Sequence, residues 1–356
     1  MHTYDYSFLA TGSIPVSIAN LISRISKASG FAVIRKDLYP NIFSDLERIA
    51  RIQSVKSSNA IEGIVTSDDR LRAIVMNETA PLNHNESEIA GYRDVLTKIH
   101  AGYADITFDE PTILNMHRLL LAQTGYEYGG RFKAADNLIL ERDDFGRKQV
   151  RFRPVSAAET PQAIEQLVLA YTEAGNSADI HPLLLIPCVI LDFLCIHPFR
   201  DGNGRMSRLL SLLLLYRAGY DIGRYISFEE AINRDKDAYY EALKQSSVGW
   251  HDNAENPFPF VEHFLRMLAS CYAEMEMRFT TVSGMHSSKT AMIEQYVSRT
   301  FQPFGKADIC AAFPEISPTT IEAVLGRLVK SNRIKKIGAG RGTKYVSSRD
   351  ESRLRY

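Results

Sequence analysis

The sequence predicts a mainly α-helical protein with one short β-hairpin, ending in a small separate module of helices and a second hairpin. Three observations carry this. Apolar residues recur at three- and four-residue spacing through most of the first 280 positions, the period of amphipathic helices. Strict alternation interrupts that rhythm between positions 137 and 153. After a small, polar stretch at 281–288, three short helical segments lead into two alternating ones around a glycine-rich turn.

Taken in order, 18–60 reads as helical, with Leu46, Ile49, Ile52 and Val55 at helical spacing. Helices follow at 86–100 and 111–123, the second with Asp109 placed to cap it and Pro111 in its first turn. The segments 137–141 and 148–153 alternate around Asp143-Asp-Phe-Gly146 and form the hairpin. Helices resume at 161–174, 182–196, 204–218, 228–246 and 259–279. The run 209–215 is apolar all round, which predicts a central helix buried on every side. Beyond the polar stretch, 291–300, 306–313 and 317–331 read as helices, the last opened by Ser317 as N-cap and Pro318 as first helical residue. Strands are expected at 333–337 and 343–347, around Gly338-Ala-Gly-Arg-Gly342. Three helices and a basic, glycine-tipped hairpin describe a winged helix-turn-helix.

A chain of 356 residues, 45% hydrophobic and 24% charged, has ordinary globular composition and room for two or three domains. Lys plus Arg equals Asp plus Glu at 42 each, so net charge selects no partner; its distribution does. Residues 282–356 hold thirteen basic and six acidic side chains, a net +7 against −7 for the rest. A basic tail on an acidic body points to a polyanion such as DNA near the C-terminus. Cys188, Cys195, Cys271 and Cys310 are widely spaced and form no CxxC, which argues against a disulfide framework and for a reducing compartment. No basic start leads into an apolar run, and the stretches 183–196 and 209–215 are too short to span a bilayer. The expectation is a cytoplasmic protein with no membrane partner.

The chemistry concentrates in His197-Pro-Phe-Arg-Asp-Gly-Asn-Gly-Arg-Met-Ser-Arg208. A helix ends at the histidine, a glycine-flanked loop follows, and a second helix begins near Gly204. Gly202 and Gly204 let backbone N–H groups turn inward as an anion nest at a helix N-terminus. Arg205 and Arg208, three apart, project from one side of its first turn, where they can grip further phosphates. Asp201 supplies a hard oxygen for Mg²⁺ bridging phosphates. His197 is a base one loop away. Nest, cations, metal ligand and base together suit attack by a hydroxyl on a nucleotide phosphate. No other histidine has paired metal-ligand spacing, and His100 and His117 read as ordinary helix residues.

These residues match the Fic family signature, H-x-F-x-[D/E]-G-N-G-R-x-x-R, at every position, and the chain resembles that family from about 57 to 243. The resemblance implies an α-helical Fic fold and transfer of AMP from ATP to a hydroxyl of a target protein, the protein itself included. His197 would then deprotonate the hydroxyl and Asp201 would hold Mg²⁺. Asn203, Gly202 and Gly204 would cradle the diphosphate, with Arg205 on the phosphates and Arg208 on the γ-phosphate. Kinase-like relatives carry lysine at the second glycine; Gly204 favours AMP transfer. Upstream, Ser58-Asn-Ala-Ile-Glu-Gly63 resembles the family's inhibitory helix, [S/T]-x-x-x-E-[G/N], which implies bidentate pairing of Glu62 with Arg208 and autoinhibition. The hairpin at 137–152 resembles the family's flap, which pairs with a target segment by strand addition. Gly129-Gly-Arg-Phe-Lys133 resembles a P-G-x-F-R approach, from which Gly129 and Lys133 depart. Asn233 and Tyr239 fall in the segment that helps form the nucleotide pocket.

The expected organisation is a helical region carrying the inhibitory motif at 1–105, a Fic core at 106–280, a linker at 281–288 and a winged helix at 289–356. In that last domain Thr319, Thr320, Glu322, Arg327 and Lys330 would lie on the recognition helix, and Lys335, Lys336, Arg341 and Lys344 on the wing. DNA contacted through 289–347 would be held mainly at its phosphates. AMP removal, phosphate transfer, and nucleotide sensing coupled to DNA binding are the rival activities. Relatives often form homodimers.

Overall fold

The computed structural model describes residues 2–142, 147–283, 289–300, 303–314, 316–338, 340 and 343–347. Contacts divide the chain into two units: residues 1–29 with 43–275, and residues 30–42 with 276–356. The first holds α1 (Phe8–Thr11), most of α2 (Val16–Leu38) and α3 (Pro40–Ile61), α4 (Asp68–Val75), α5 (His84–Gly102) and α6 (Glu110–Leu120). The antiparallel hairpin β1 (Ile139–Arg142) and β2 (Lys148–Phe152) follows. Then come α7 (Thr160–Gly175), α8 (Pro182–Ile196), α9 (Asn203–Arg217), α10 (Phe228–Arg234), α11 (Lys236–Ser246) and most of α12 (Phe258–Ser283).

The centre of this unit is the pair α8 and α9, with α7 packed on α8 and α5 on α9. Every residue of α8 after Pro182 is buried, and the run 209–215 in α9 is at most 2% exposed, as its all-round apolar pattern requires. Each leucine buried there contributes about 2 kcal/mol of transfer free energy. Asp192, the one charge in α8, accepts from Tyr6 Oη and Trp250 Nε1, both at 2.7 Å. Burial pushes its carboxyl up to about 6. His2 stacks on Trp250 at 4.0 Å, so the N-terminal segment is seated against α8.

Capping follows the sequence at α6, where Asp109 Oδ1 accepts from the Thr112 amide at 2.8 Å. The single helix expected over 228–246 is two helices. Ser227 caps the first, and Asp235, at φ −126° and ψ 41°, leaves helical geometry before α11 begins. This break resets which face of α11 looks outward.

The second unit contains α13 (Lys289–Arg299), α14 (Lys306–Ala312) and α15 (Pro318–Lys330). With them is an antiparallel sheet of β3 (Phe304–Gly305), β4 (Ile334–Ile337) and β5 (Lys344–Ser347), in the order β3-β5-β4. Ser317 caps α15 through the Thr320 amide. The core is Ile293, Val297, Phe304, Ile309, Phe313 and Ile321 with Leu38 of α2, so residues 30–42 belong here and not with the N-terminal region. Nor do contacts separate 1–29 and 43–105 from 106–275, because α5 packs on both α6 and α9. Of the expected linker, 281–283 end α12; 284–288, like hairpin residues 143–146 and Arg341, lie outside the described residues. The four cysteines are free. No described helix is long and apolar enough to cross a membrane.

Candidate active site

His197 terminates α8 with left-handed geometry, φ 51° and ψ 61°, an uncommon conformation for a residue with a Cβ. Its amide still closes the last helical turn on Phe193 O at 2.9 Å. Its Nδ1 lies 3.2 Å from the Leu194 carbonyl, which can only accept, so Nδ1 carries the proton and Nε2 keeps its lone pair. Burial pushes the imidazole down to about 4, and the Leu194 carbonyl only partly offsets this. At neutral pH the ring is therefore an uncharged base.

The loop after His197 is clamped from several sides. Asn203 accepts from the Phe199 amide at 2.9 Å and donates to the Phe199 carbonyl at 2.8 Å. Its side chain therefore closes the loop, while the residue itself lines the same cleft as His197. His117, which the sequence presented as an ordinary helix residue, is fully buried and braces the same loop. Its Nδ1 accepts from the Gly130 amide and its Nε2 donates to the Asp201 carbonyl, both at 3.1 Å, while its ring stacks on Phe199 at 3.7 Å. Lys133 donates to the Ile196 carbonyl and to Asn137 Oδ1, each at 3.0 Å, and caps the end of α8 with positive charge. Burial pushes that ammonium down to about 8.

Gly202, at φ 81°, is the N-cap of α9, and no side chain caps the helix. Its first amides are thus free to meet an anion. Asp201 Oδ1 takes the Gly202 amide at 2.7 Å. The two arginines diverge. Arg205 donates to Glu88 on α5 at 2.7 Å, with both groups buried, and stands 3.8 Å behind Asp201. It is not at the open face, contrary to the expectation that it grips phosphate; a helix buried on all sides can send positions three apart to different neighbours. Arg208, 2% exposed, turns to α3. There it donates to Ser58 Oγ at 2.8 Å, the Ser58 carbonyl at 2.9 Å and Glu62 Oε1 at 2.8 Å. The Glu62 contact is a single hydrogen bond from Nη2, which also donates to the Ser58 carbonyl, and not the bidentate fork.

Glu62 sits where α3 ends. Gly63, at φ 78°, turns the chain in the left-handed region, and the Ile64 amide reaches back to Asn59 O at 3.0 Å. This stop leaves the carboxylate against the start of α9, where a Cβ at Gly204 would collide with it.

Glu62, His197 and residues 201–204 form one wall of a cleft of about 600 Å³. The hairpin contributes residues 138–141 and Arg151, and α11 contributes Asp237, Tyr240, Glu241 and Lys244. Asn233 and Tyr239 do not line it. Asn233 belongs to the preceding helix, and Tyr239, 4% exposed, packs on Phe260 at 5.6 Å. The break at Asp235 explains this: counted from Lys236, positions 237, 240, 241 and 244 share one face of α11. That spacing was present in the sequence but could not be phased without the break.

Residues 107–215 match the family model of the Fic/DOC family. A Fido domain-containing protein of Dictyostelium discoideum is 30% identical over 114 residues, 71% of that protein and 31% of this chain. The chain belongs to the Fic/DOC family. A protein adenylyltransferase Fic of Nematostella vectensis is 27% identical over 234 residues, covering 62% of this chain and 47% of that protein. The chain thus spans about half the length of that curated relative. A Fic family protein from Desulfovibrio desulfuricans G20 superposes with a TM-score of 0.61 at 21% identity, covering 94% of this chain and 97% of that one, which shows the shared fold.

Proposed function

We propose that this Fic-family chain transfers AMP from ATP to a hydroxyl side chain of a protein and is held back by Glu62. The observation that carries this is one cleft containing an uncharged histidine with a free Nε2, an uncapped helix N-terminus and a carboxylate bound to the adjacent arginine. In this reading His197 Nε2 takes the proton as the hydroxyl oxygen bonds to the α-phosphorus. The bond from that phosphorus to the bridging oxygen breaks, and pyrophosphate leaves. The α9 amides hold the phosphates, and Arg208, once released by Glu62, holds the γ-phosphate.

The residues fit Mg²⁺, which takes one or two carboxylates alongside phosphate oxygens. Asp201 is one exposed carboxylate at the anion site, and no cluster of three metal-binding side chains competes among the described residues. When bound there, Mg²⁺ would neutralise phosphate charge. Asp201 Oδ1 keeps the Gly202 amide in place, and its Oδ2, 3.8 Å from Arg205, would be the oxygen offered to the cation.

Intact mass after incubation with ATP and Mg²⁺ tests the reading. Glu62→Gly is expected to gain an AMP-sized increment that disappears in Glu62→Gly/His197→Ala and on chelation of divalent cations. A phosphate-sized increment would assign phosphoryl transfer. No gain, with loss of AMP from a previously modified protein, would assign the reverse reaction.

A second reading concerns the other unit, and the exposed positions favour it. Thr319, Glu322, Arg327 and Lys330 are exposed along α15, and Lys335 and Lys336 along β4. We propose that this unit is a winged helix that binds double-stranded DNA through phosphates. Retention on a DNA duplex should fall steeply between 50 and 200 mM salt, about a thousandfold for six phosphate contacts. No retention at low salt would remove the reading.

A further inference from the structure

The hairpin carries a cation for which neither the fold nor the signature motif accounts. Ile139 pairs with Phe152 and Leu140 with Val150, so Arg151 has no partner across the ladder and forms a bulge in β2. Bulges next to active sites re-aim side chains. Here the bulge places Arg151 in the cleft wall with His197 and Gly204.

The other cations of this region are engaged. Lys244 bonds both oxygens of Glu141 at 2.9 and 3.1 Å. Arg200 lies over the Tyr128 ring at 5.2 Å. Arg208 is held by Glu62 and Ser58, and Arg205 by Glu88. Arg151 makes no hydrogen bond to a carboxylate among the described residues, though its charge reaches Glu141, and its Nε is buried without an acceptor. Arg151 is half-buried in the cleft wall, and an anion entering the cleft would give its guanidinium the partner that its own fold does not supply.

We propose that Arg151 binds a phosphate of the nucleotide at its reacting end, so that the hairpin supplies substrate binding as well as the surface for the target segment. This rests on the nucleotide-transfer reading. In the in-line displacement, charge spreads over the oxygens of the transferred phosphoryl group. The α9 amides meet that charge from one wall of the cleft and Arg151 from another. Its planar fork of donors suits two phosphate oxygens at once. The bonds made and broken are unchanged: hydroxyl oxygen to phosphorus forms, phosphorus to bridging oxygen breaks, and the proton goes to His197.

The test is a ladder of adenosine, AMP, ADP and ATP titrated calorimetrically into Glu62→Gly, with and without Arg151→Met. Affinity for the three phosphorylated ligands should fall about tenfold while adenosine binds equally, and Arg151→Lys should recover part of the loss. Melting temperature controls for hairpin damage. Equal nucleotide affinities would overturn the proposal. If automodification slowed despite equal affinities, the guanidinium would serve the acceptor protein instead. Absence of nucleotide binding in the Glu62→Gly parent would overturn the nucleotide reading itself, and this proposal with it.

Discussion

Glu62→Gly is expected to raise the rate of self-modification roughly ten- to a hundredfold, the equivalent of one charge-assisted hydrogen bond of about 1.5–3 kcal/mol. Two contacts set this figure. The carboxylate binds Arg208, which in the proposed reaction holds the γ-phosphate, and it stands at Gly204, where a phosphate would meet the amides of α9. Removing it opens both places. Arg208 keeps its two bonds to Ser58, so the cation stays oriented while it waits for a ligand. Ser58→Ala should therefore not mimic Glu62→Gly; it loosens the arginine and lowers the activated rate. Glu62→Gln should fall between, since it retains the bulk and loses the charge. Activation should also cost stability. Arg208 is 2% exposed, and without Glu62 it is a buried cation short of its counter-ion, so the variant should melt a few degrees lower until ATP restores it. Time courses of intact mass in the presence of ATP read the first effect and thermal melts the second. Equal rates in wild type and Glu62→Gly would sink the brake.

How much of this was written in the sequence can be judged residue by residue. The buried pair α8 and α9 followed from apolar residues on all sides, and the position of His197 and Asp201 at the loop between them followed from the glycines. The Glu62–Arg208 contact rested on a resemblance spanning some 150 residues, which local pattern alone could not establish. What stayed hidden was direction. Asn203 and Arg205 are in the motif, yet one closes the loop and the other bonds Glu88, because side-chain aim depends on neighbours far away in sequence. His117 braces the loop from 80 positions upstream, with only a lone histidine on a helix to announce it. The phase of α11 hung on one residue, Asp235, leaving helical geometry. Arg151 was unreadable for a different reason: alternation marks a strand but not a bulge, and the bulge is what turns this side chain into the cleft.

His197→Ala in the Glu62→Gly background is expected to slow transfer by about a hundred- to ten-thousandfold, the usual contribution of a positioned general base, while leaving ATP affinity unchanged. The pH dependence is the sharper form of this prediction. In the proposed reaction the working form is the uncharged ring, and burial lowers its pKa to about 4. An imidazole at its ordinary value near 6.5 would be about one-quarter uncharged at pH 6; this one would be nearly all uncharged. So kcat/KM, which reports the free enzyme, should stay level from pH 8 down to about 5 and show no inflection near 6.5. Removing Glu62 strengthens the expectation, because its negative charge raises the pKa of His197. Bound phosphates act in the opposite direction. They bring negative charge to the ring, favour its protonated form and raise its pKa in the complex. The acid limb of kcat should then lie at higher pH than that of kcat/KM, and the base becomes stronger as the substrate that needs it arrives. An inflection of kcat/KM near 6.5 would mean that the ring is not desolvated as the closed loop requires. Coincident limbs for the two constants would mean that the phosphates do not bind beside it.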